Sequence, residues 1–261
     1  MKTKTLLKIY TYTLSTIIYI PIIIMIIYSF NNSNYIGEWK GFTLKWYKII
    51  LNDPKILETL TNSLIIAIAS SLTSIALAIP PTLLTTKLRN ITTPLTYPPI
   101  IIPEIAEAVA LMLLFITINF PLGAISVYIG HTAFNIAYAY ITLLPQAGKG
   151  EKLAQAAKTL GADTTTTLTK ILLPITLPGI LAATTLTFML SFTDFIKTLF
   201  TAGPGFQTLP LLIWNRARRP GLTEYTSQNA LNAIASLLII TSITIAATYT
   251  IHTIKQQKQQ H

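Results

Sequence analysis

Uncharged apolar runs, separated by short polar or proline-rich breaks, organise this chain. A membrane-spanning helix needs about 20 predominantly apolar residues. Six stretches meet that length: residues 9–30, 59–84, 95–118, 124–144, 175–200 and 227–251. The first follows Lys2, Lys4 and Lys8. Its apolar part is too long for a signal-peptide core and no small-residue cleavage site follows, so it reads as an anchor that stays. The third is entered through Tyr97, Pro98 and Pro99, and Pro103 is predicted to kink it, because proline removes a helical hydrogen bond. Asn119, Phe120, Pro121, Leu122 and Gly123 predict a tight turn into the fourth. No internal repeat or linker divides the six. The expectation is an all-α integral membrane protein of six transmembrane helices, forming one domain over 1–261.

Composition agrees. Hydrophobic residues make up 51% of the chain and charged residues 11%, against about 25% charged in soluble domains. Cysteine is absent, and histidine is limited to His131, His252 and His261, which excludes disulfides, thiolate chemistry and Cys/His zinc sites. The formal charge of +10 would suit nucleic acid, but the basic residues fall mostly in short connecting segments, where they set membrane topology. An N-terminus on the inside places eleven Lys and Arg residues inside and eight outside, and the outside set is mixed with Glu38, Asp53, Glu58 and Glu224. Both termini are therefore expected on the cytoplasmic side of a multi-pass membrane protein.

The longest polar insertion on that side covers 146–174. Leu153, Ala156, Ala157 and Leu160 share one face at helical spacing, with Lys152, Gln155 and Lys158 off it. Gly161 is placed to stop this helix in a left-handed residue, and Asp163 to cap a second helix ending at Pro174. A helix, sharp turn and helix of this kind suits docking into a groove on a soluble partner.

Gln155, Ala156 and Ala157, then Gly161, then Ile171, Leu173 and Pro174 resemble the EAA loop of ABC importer permeases, with Gln155 where the family usually carries Glu. The substitution keeps a hydrogen-bonding amide and loses a charge. Further residues resemble the second permease of spermidine/putrescine importers. These are Tyr19 to Ile23, Tyr28 to Asn31, Gly41 to Thr43 and Lys45 to Tyr47, then Ser191 to Asp194, Gly203 to Gly205 and Leu209 to Leu211. Permeases for iron, thiamine and oxyanions share parts of the pattern. The resemblance implies an ABC ATPase homodimer, a second homologous permease and an extracytoplasmic polyamine-binding protein as partners. Within it, Gln155, Ala156, Ala157, Leu160 and Gly161 would couple the chain to the ATPase. No Gly-rich loop ending in Gly-Lys-Ser or Gly-Lys-Thr occurs here. ATP and magnesium would thus sit on the partner ATPase subunits, this chain binding no cofactor and being no enzyme. The rival of a different class is a proton-coupled secondary transporter, which leaves the EAA pattern unexplained.

Acidic residues inside the predicted spans are Glu104, Glu107 and Asp194. Charge at that depth is costly unless it faces a cavity or a partner, so these are candidates for the substrate pathway. Glu104 and Glu107 are three apart and share a helix face. An acidic pathway favours a cationic solute. By the resemblance, Glu104 and Asp194 fall where the family carries Asp, while Thr193 replaces another Asp. The alternative is that Asp194 pairs with Lys197 on the next turn and that one glutamate sits protonated between helices. Trp46, in the first outer loop, offers a cation–π face, against membership of an interfacial aromatic belt with Trp39 and Trp214. His131 reads as a hydrogen-bonded packing residue rather than a proton relay, and Arg216, Arg218 and Arg219 as a solvated loop.

Overall fold

The computed structural model describes residues 2–33, 37–83, 86–219 and 227–259. The architecture is helical, and the sole β pairing among the described residues is an isolated bridge between Asn31 and Phe42. Four helical stretches among them are long and apolar enough to cross a membrane: Thr5–Tyr28, Pro54–Leu83, Thr164–Phe192 and Gln228–Thr248. A bent pair, Arg89–Ile101 with Glu104–Thr117, makes a fifth if it counts as one span.

Two compact units divide the chain, Met1–Leu57 with Leu212–Thr241, and Glu58–Leu211 with Ser242–His261. In the first, helix α1 (Lys2–Tyr28) leads through Ser29–Ser33 toward the short helix α2 (Lys45–Leu51). The connection is held by polar bonds around Asn31. Its side chain donates to the Glu38 carbonyl at 2.6 Å and accepts from the Lys40 N–H at 2.9 Å. Its carbonyl accepts from Trp46 Nε1 at 2.8 Å and from Asn229 Nδ2 at 3.3 Å. Buried amides and carbonyls must be paired, and this set pairs them where no regular element does. The Thr5–Tyr28 part of α1 has no buried residue within the chain.

The second unit is built on α3 (Pro54–Leu83, entering from Glu58), α4 (Thr86–Thr96), α5 (Pro98–Ile101), α6 (Glu104–Thr117) and α7 (Ala124–Thr159). There follow α8 (Thr164–Thr166), a π-helical stretch (Thr167–Leu172), α9 (Leu173–Phe192) and α10 (Ile196–Thr201). Helix α11 (Leu209–Ala217) and helix α12 (Gln228–Gln259) complete the chain order. Small residues let α3, α7 and α9 approach closely, with Ala78, Ala139 and Ala183 fully buried beside Tyr140 and Leu143. Hydroxyls cross between them: Ser71 Oγ lies 2.7 Å from Thr187 Oγ1, Ser74 Oγ donates to the Thr132 carbonyl at 3.1 Å, and Asn135 Nδ2 donates to the Thr187 carbonyl at 3.2 Å. Small residues and short polar side chains are how helices adhere when lipid offers no hydrophobic drive between them.

Four expected boundaries change. The third run, expected as one kinked span over 95–118, is broken at Ile102 and Pro103, with α4–α5 and α6 at 107°. Pro103 has no N–H, and Ile102 before it is extended at ψ 136°, as a residue preceding proline prefers. The fourth run does not stop at Leu144 but continues through Pro145 to Thr159, so the Gln155–Ala157 segment is the end of the same helix. The fifth ends at Phe192, with Thr193–Phe195 separating α9 from α10, instead of running on to Phe200. Nor does a helix end at Pro174: α8, the π stretch and α9 form one rod over Thr164–Phe192. Pro174 and Pro178 cannot donate to the carbonyls four residues back, and the widened π turn ends just before Pro174. One glycine in this unit is sterically required. At Gly203, φ is +63°, and a Cβ there would sit 2.7 Å from Leu122 Cβ and 2.8 Å from the Leu122 carbonyl oxygen.

Candidate functional site

Two helix interruptions in the second unit converge on one charged cluster. Glu104 and Glu107 lie in the first turn of α6, immediately after the Pro103 break, where the positive end of the helix dipole favours carboxylates. Asp194 lies in the break between α9 and α10, and Lys197 in the first turn of α10. Asp194 Oδ1 accepts from the Thr198 N–H at 3.0 Å and from Thr198 Oγ1 at 3.2 Å, which secures the start of α10. Its Oδ2 lies 3.2 Å from Lys197 Nζ. Lys197 Nζ also reaches Glu104 Oε1 at 2.5 Å and lies 3.5 Å from the centre of the Phe134 ring. The Lys197 and Asp194 side chains are 2% and 3% exposed, whereas Glu104 is 43% exposed, so the bridge runs from the interior to an open end.

His131 joins the same cluster. Its Nδ1 lies 2.7 Å from Ser191 Oγ, and its Nε2 is 3.2 Å from Asp194 Oδ1 and 3.1 Å from Thr198 Oγ1. Ser70 Oγ donates to Ser191 Oγ at 3.0 Å. The Asp194 carboxylate only accepts, so the imidazole carries a hydrogen on Nε2, facing it. A continuous polar chain thus runs Ser70, Ser191, His131, Asp194, Lys197, Glu104, drawn from α3, α9, α7, the 193–195 break, α10 and α6. Glu107 is within electrostatic range of Lys197, Glu104 and Asp194, and its Oε2 is buried without a hydrogen-bond partner among the described residues.

The pairing of Asp194 with Lys197, weighed as the simpler alternative, is what the geometry contains. It also contains Glu104, which sequence distance hid. Lys197 belongs to the eight basic residues that the charge count assigns outside, yet it is 1% exposed. The clue was available: Lys197 is a lone cation within Phe195–Phe200, and a basic residue in an apolar run is as informative as an acidic one. Trp46 departs from expectation. Its ring is fully buried and its N–H is taken by the Asn31 carbonyl, so it presents no open face to a solute. Trp39 is half exposed and meets Tyr28 edge to face at 6.2 Å. Arg216 is not a solvated loop residue, since it pairs with Asp53 at 2.6 Å in the first unit. Arg218 stacks over Trp214 at 4.6 Å.

At the far end of α7 the backbone closes in a Schellman turn. Ala162 N–H bonds to the Ala157 carbonyl at 3.0 Å and Gly161 N–H to the Lys158 carbonyl at 3.0 Å, with Gly161 at φ +87°. Leu153, Gln155, Ala156 and Leu160 are exposed, Leu160 at 87%, and Ala157 is half-buried. Asp163 then caps α8 by accepting from the Thr166 N–H at 3.3 Å. The Thr166 hydrogen bond holds the Asp163 carboxyl below its ordinary range.

Four helices, or five with the bent pair, that are long and apolar enough to cross a membrane mark a multi-pass membrane protein, and the comparisons say which kind. The sequence pattern of the family described as binding-protein-dependent transport system inner membrane component matches residues 70–256. The chain belongs to that family. It is 32% identical over 235 residues to the spermidine/putrescine transport system permease protein PotC of Escherichia coli K12, covering 87% of this chain and 85% of that protein. PotC of Haemophilus influenzae is 30% identical over 237 residues, covering 87% and 88%. The putrescine transport system permease protein PotI of E. coli K12 is 26% identical over 236 residues, covering 86% and 82%. Among solved structures, a bacterial ABC transporter involved in the import of the acidic polysaccharide alginate superposes with a TM-score of 0.71 at 16% identity, covering 96% of this chain and 97% of that one. That likeness is one of fold: the chain has the ABC transporter permease fold.

Proposed function

We propose that this chain is a transmembrane subunit of an ATP-driven importer for polyamines and supplies half of its translocation pathway by alternating access. The relatives named for spermidine and putrescine support the solute class. One observation from the geometry carries it: Glu104 and Asp194, far apart in sequence, both meet a primary ammonium at the breaks of two helices. Irregular backbone at membrane depth is tolerated where it is buried in protein or lines a cavity.

In this reading the domain is one permease unit over 1–261 with six spans. These are α1, α3, the bent α4–α6, the first part of α7, the rod through α9, and α12. Ser126, His131, Thr132 and Asn135 dilute the apolar character of α7, yet all four are buried within the chain, and Ser126, His131 and Asn135 bond to α9 or α10. The exposed apolar side of α1 faces lipid or the second permease. Both termini lie in the cytoplasm, and the exposed Leu153, Ala156 and Leu160 with the Gly161 turn dock on an ATPase subunit. Closure of the ATPase dimer is then transmitted along α7, since the docking segment and His131 belong to one helix. ATP and magnesium act on those partner subunits, and a binding protein delivers the solute.

Glu104→Gln with Asp194→Asn, introduced into an assembled complex, tests the pathway. Polyamine uptake falls while assembly persists. Uptake equal to that of the parent contradicts the assignment of these carboxylates.

A further inference from the structure

A buried lysine with no packing reason to be charged marks a function for the charge itself. Position 197 faces the protein interior in the first turn of α10, where methionine would fill the same space at no desolvation cost. Instead an ammonium stands there, between Glu104 Oε1 at 2.5 Å and Asp194 Oδ2 at 3.2 Å, over the Phe134 ring at 3.5 Å. Two carboxylates and an aromatic face are what an alkylammonium ligand requires. We propose that Lys197 is a tethered ammonium occupying a site built for a solute ammonium, and that the solute must displace it to pass. The inference rests on the polyamine reading above and adds what sets affinity and release.

The two carboxylates divide the task. Asp194 is enclosed and held by Thr198 and His131 as well as by Lys197, so it stays in place when the lysine moves. Glu104, at the open end, is where exchange begins. The buried Oε2 of Glu107, without a partner among the described residues, leaves acceptor capacity that Lys197 does not use. An incoming ammonium takes Glu104, and Lys197 retreats on its four-carbon stem. When the pathway opens to the other side, the lysine returns to Glu104 and expels the cation. Without the lysine the site would hold its cargo. With it, apparent affinity is lowered by the fraction of time the site is vacant of Lys197.

Equilibrium binding of radiolabelled putrescine to the purified complex, with the binding protein omitted, reads this competition. If Lys197 fills the site in 90–99% of molecules, Lys197→Met tightens binding about tenfold to a hundredfold. Lys197→Arg, which keeps a cation on the tether, leaves affinity near the parent's. Adding Glu104→Gln to Lys197→Met removes the gain. A second measurement uses the unaltered complex: saturating putrescine speeds reductive methylation of Lys197, because displacement frees the amine. Unchanged affinity in an assembled Lys197→Met complex overturns the proposal. Should that variant fail to assemble, unchanged methylation in a parent complex that imports putrescine overturns it equally. A parent complex that imports no polyamine at all refutes the functional reading instead, and the inference with it.

Discussion

Gly161→Val changes one backbone demand and little else. An added Cβ at this position meets nothing within 4 Å, so no clash contributes. The cost is the torsion: φ is +87°, and a side chain in that region costs about 1–2 kcal/mol, most for a branched one. That energy shifts the equilibrium of the turn by a factor of about 5–30 toward other conformations. The Schellman bonds from Gly161 and Ala162 to Lys158 and Ala157 are then lost, and with them the direction in which the chain leaves α7. Membrane insertion is unaffected, because the turn is outside the apolar runs. In complexes reconstituted in liposomes, stimulation of ATP hydrolysis by loaded binding protein is expected to fall by about the same factor of 5–30. Gly161→Asn, which tolerates the left-handed region, retains most of it. Normal stimulation in an assembled Gly161→Val complex would refute the role of this turn in coupling.

Asp194→Ala strips Thr198 and His131 of an acceptor and leaves Lys197 with Glu104 alone; breaking a buried pair costs about 3–5 kcal/mol. It should lower the melting temperature of the purified protein, an effect partly restored by Lys197→Met, and an unchanged melting temperature would contradict the buried cluster. Gly203→Ala combines φ +63° with a Cβ 2.8 Å from the Leu122 carbonyl oxygen. It is expected to destabilise more than Gly161→Ala, where space is open, and the two melting curves decide the order. Gln257→Cys in this cysteine-free chain should resist an impermeant thiol reagent applied from outside; labelling from that side would contradict the inside C-terminus.

The bilayer explains why so much of the helical plan was legible. A span must be long and uncharged, and those properties are local. Gly161 and Pro103 were also readable, because each acts on its own torsions: one at φ +87°, the other opening a 107° bend. The continuation of α7 through Pro145 was not readable, since packing decides whether a helix survives a proline. Nor was the stop at Phe192, beyond which Asp194 leaves α9 and meets His131 on another helix. The contact between Lys197 and Glu104 was the largest omission. The two lie 93 residues apart, and a count of basic residues treats every lysine as a topological marker. Trp46 failed for the same reason, because an indole in a predicted loop looks available until Asn31 is found to hold it.

The central claim is that this chain forms part of an ATP-driven pathway for polyamines. The most direct measurement is putrescine and spermidine uptake into liposomes containing the complex of this chain, its second permease and its ATPase, with binding protein outside. The account predicts uptake that requires enclosed ATP and persists in the presence of an uncoupler. Uptake that survives without ATP and collapses with the uncoupler would contradict it and identify a proton-coupled transporter.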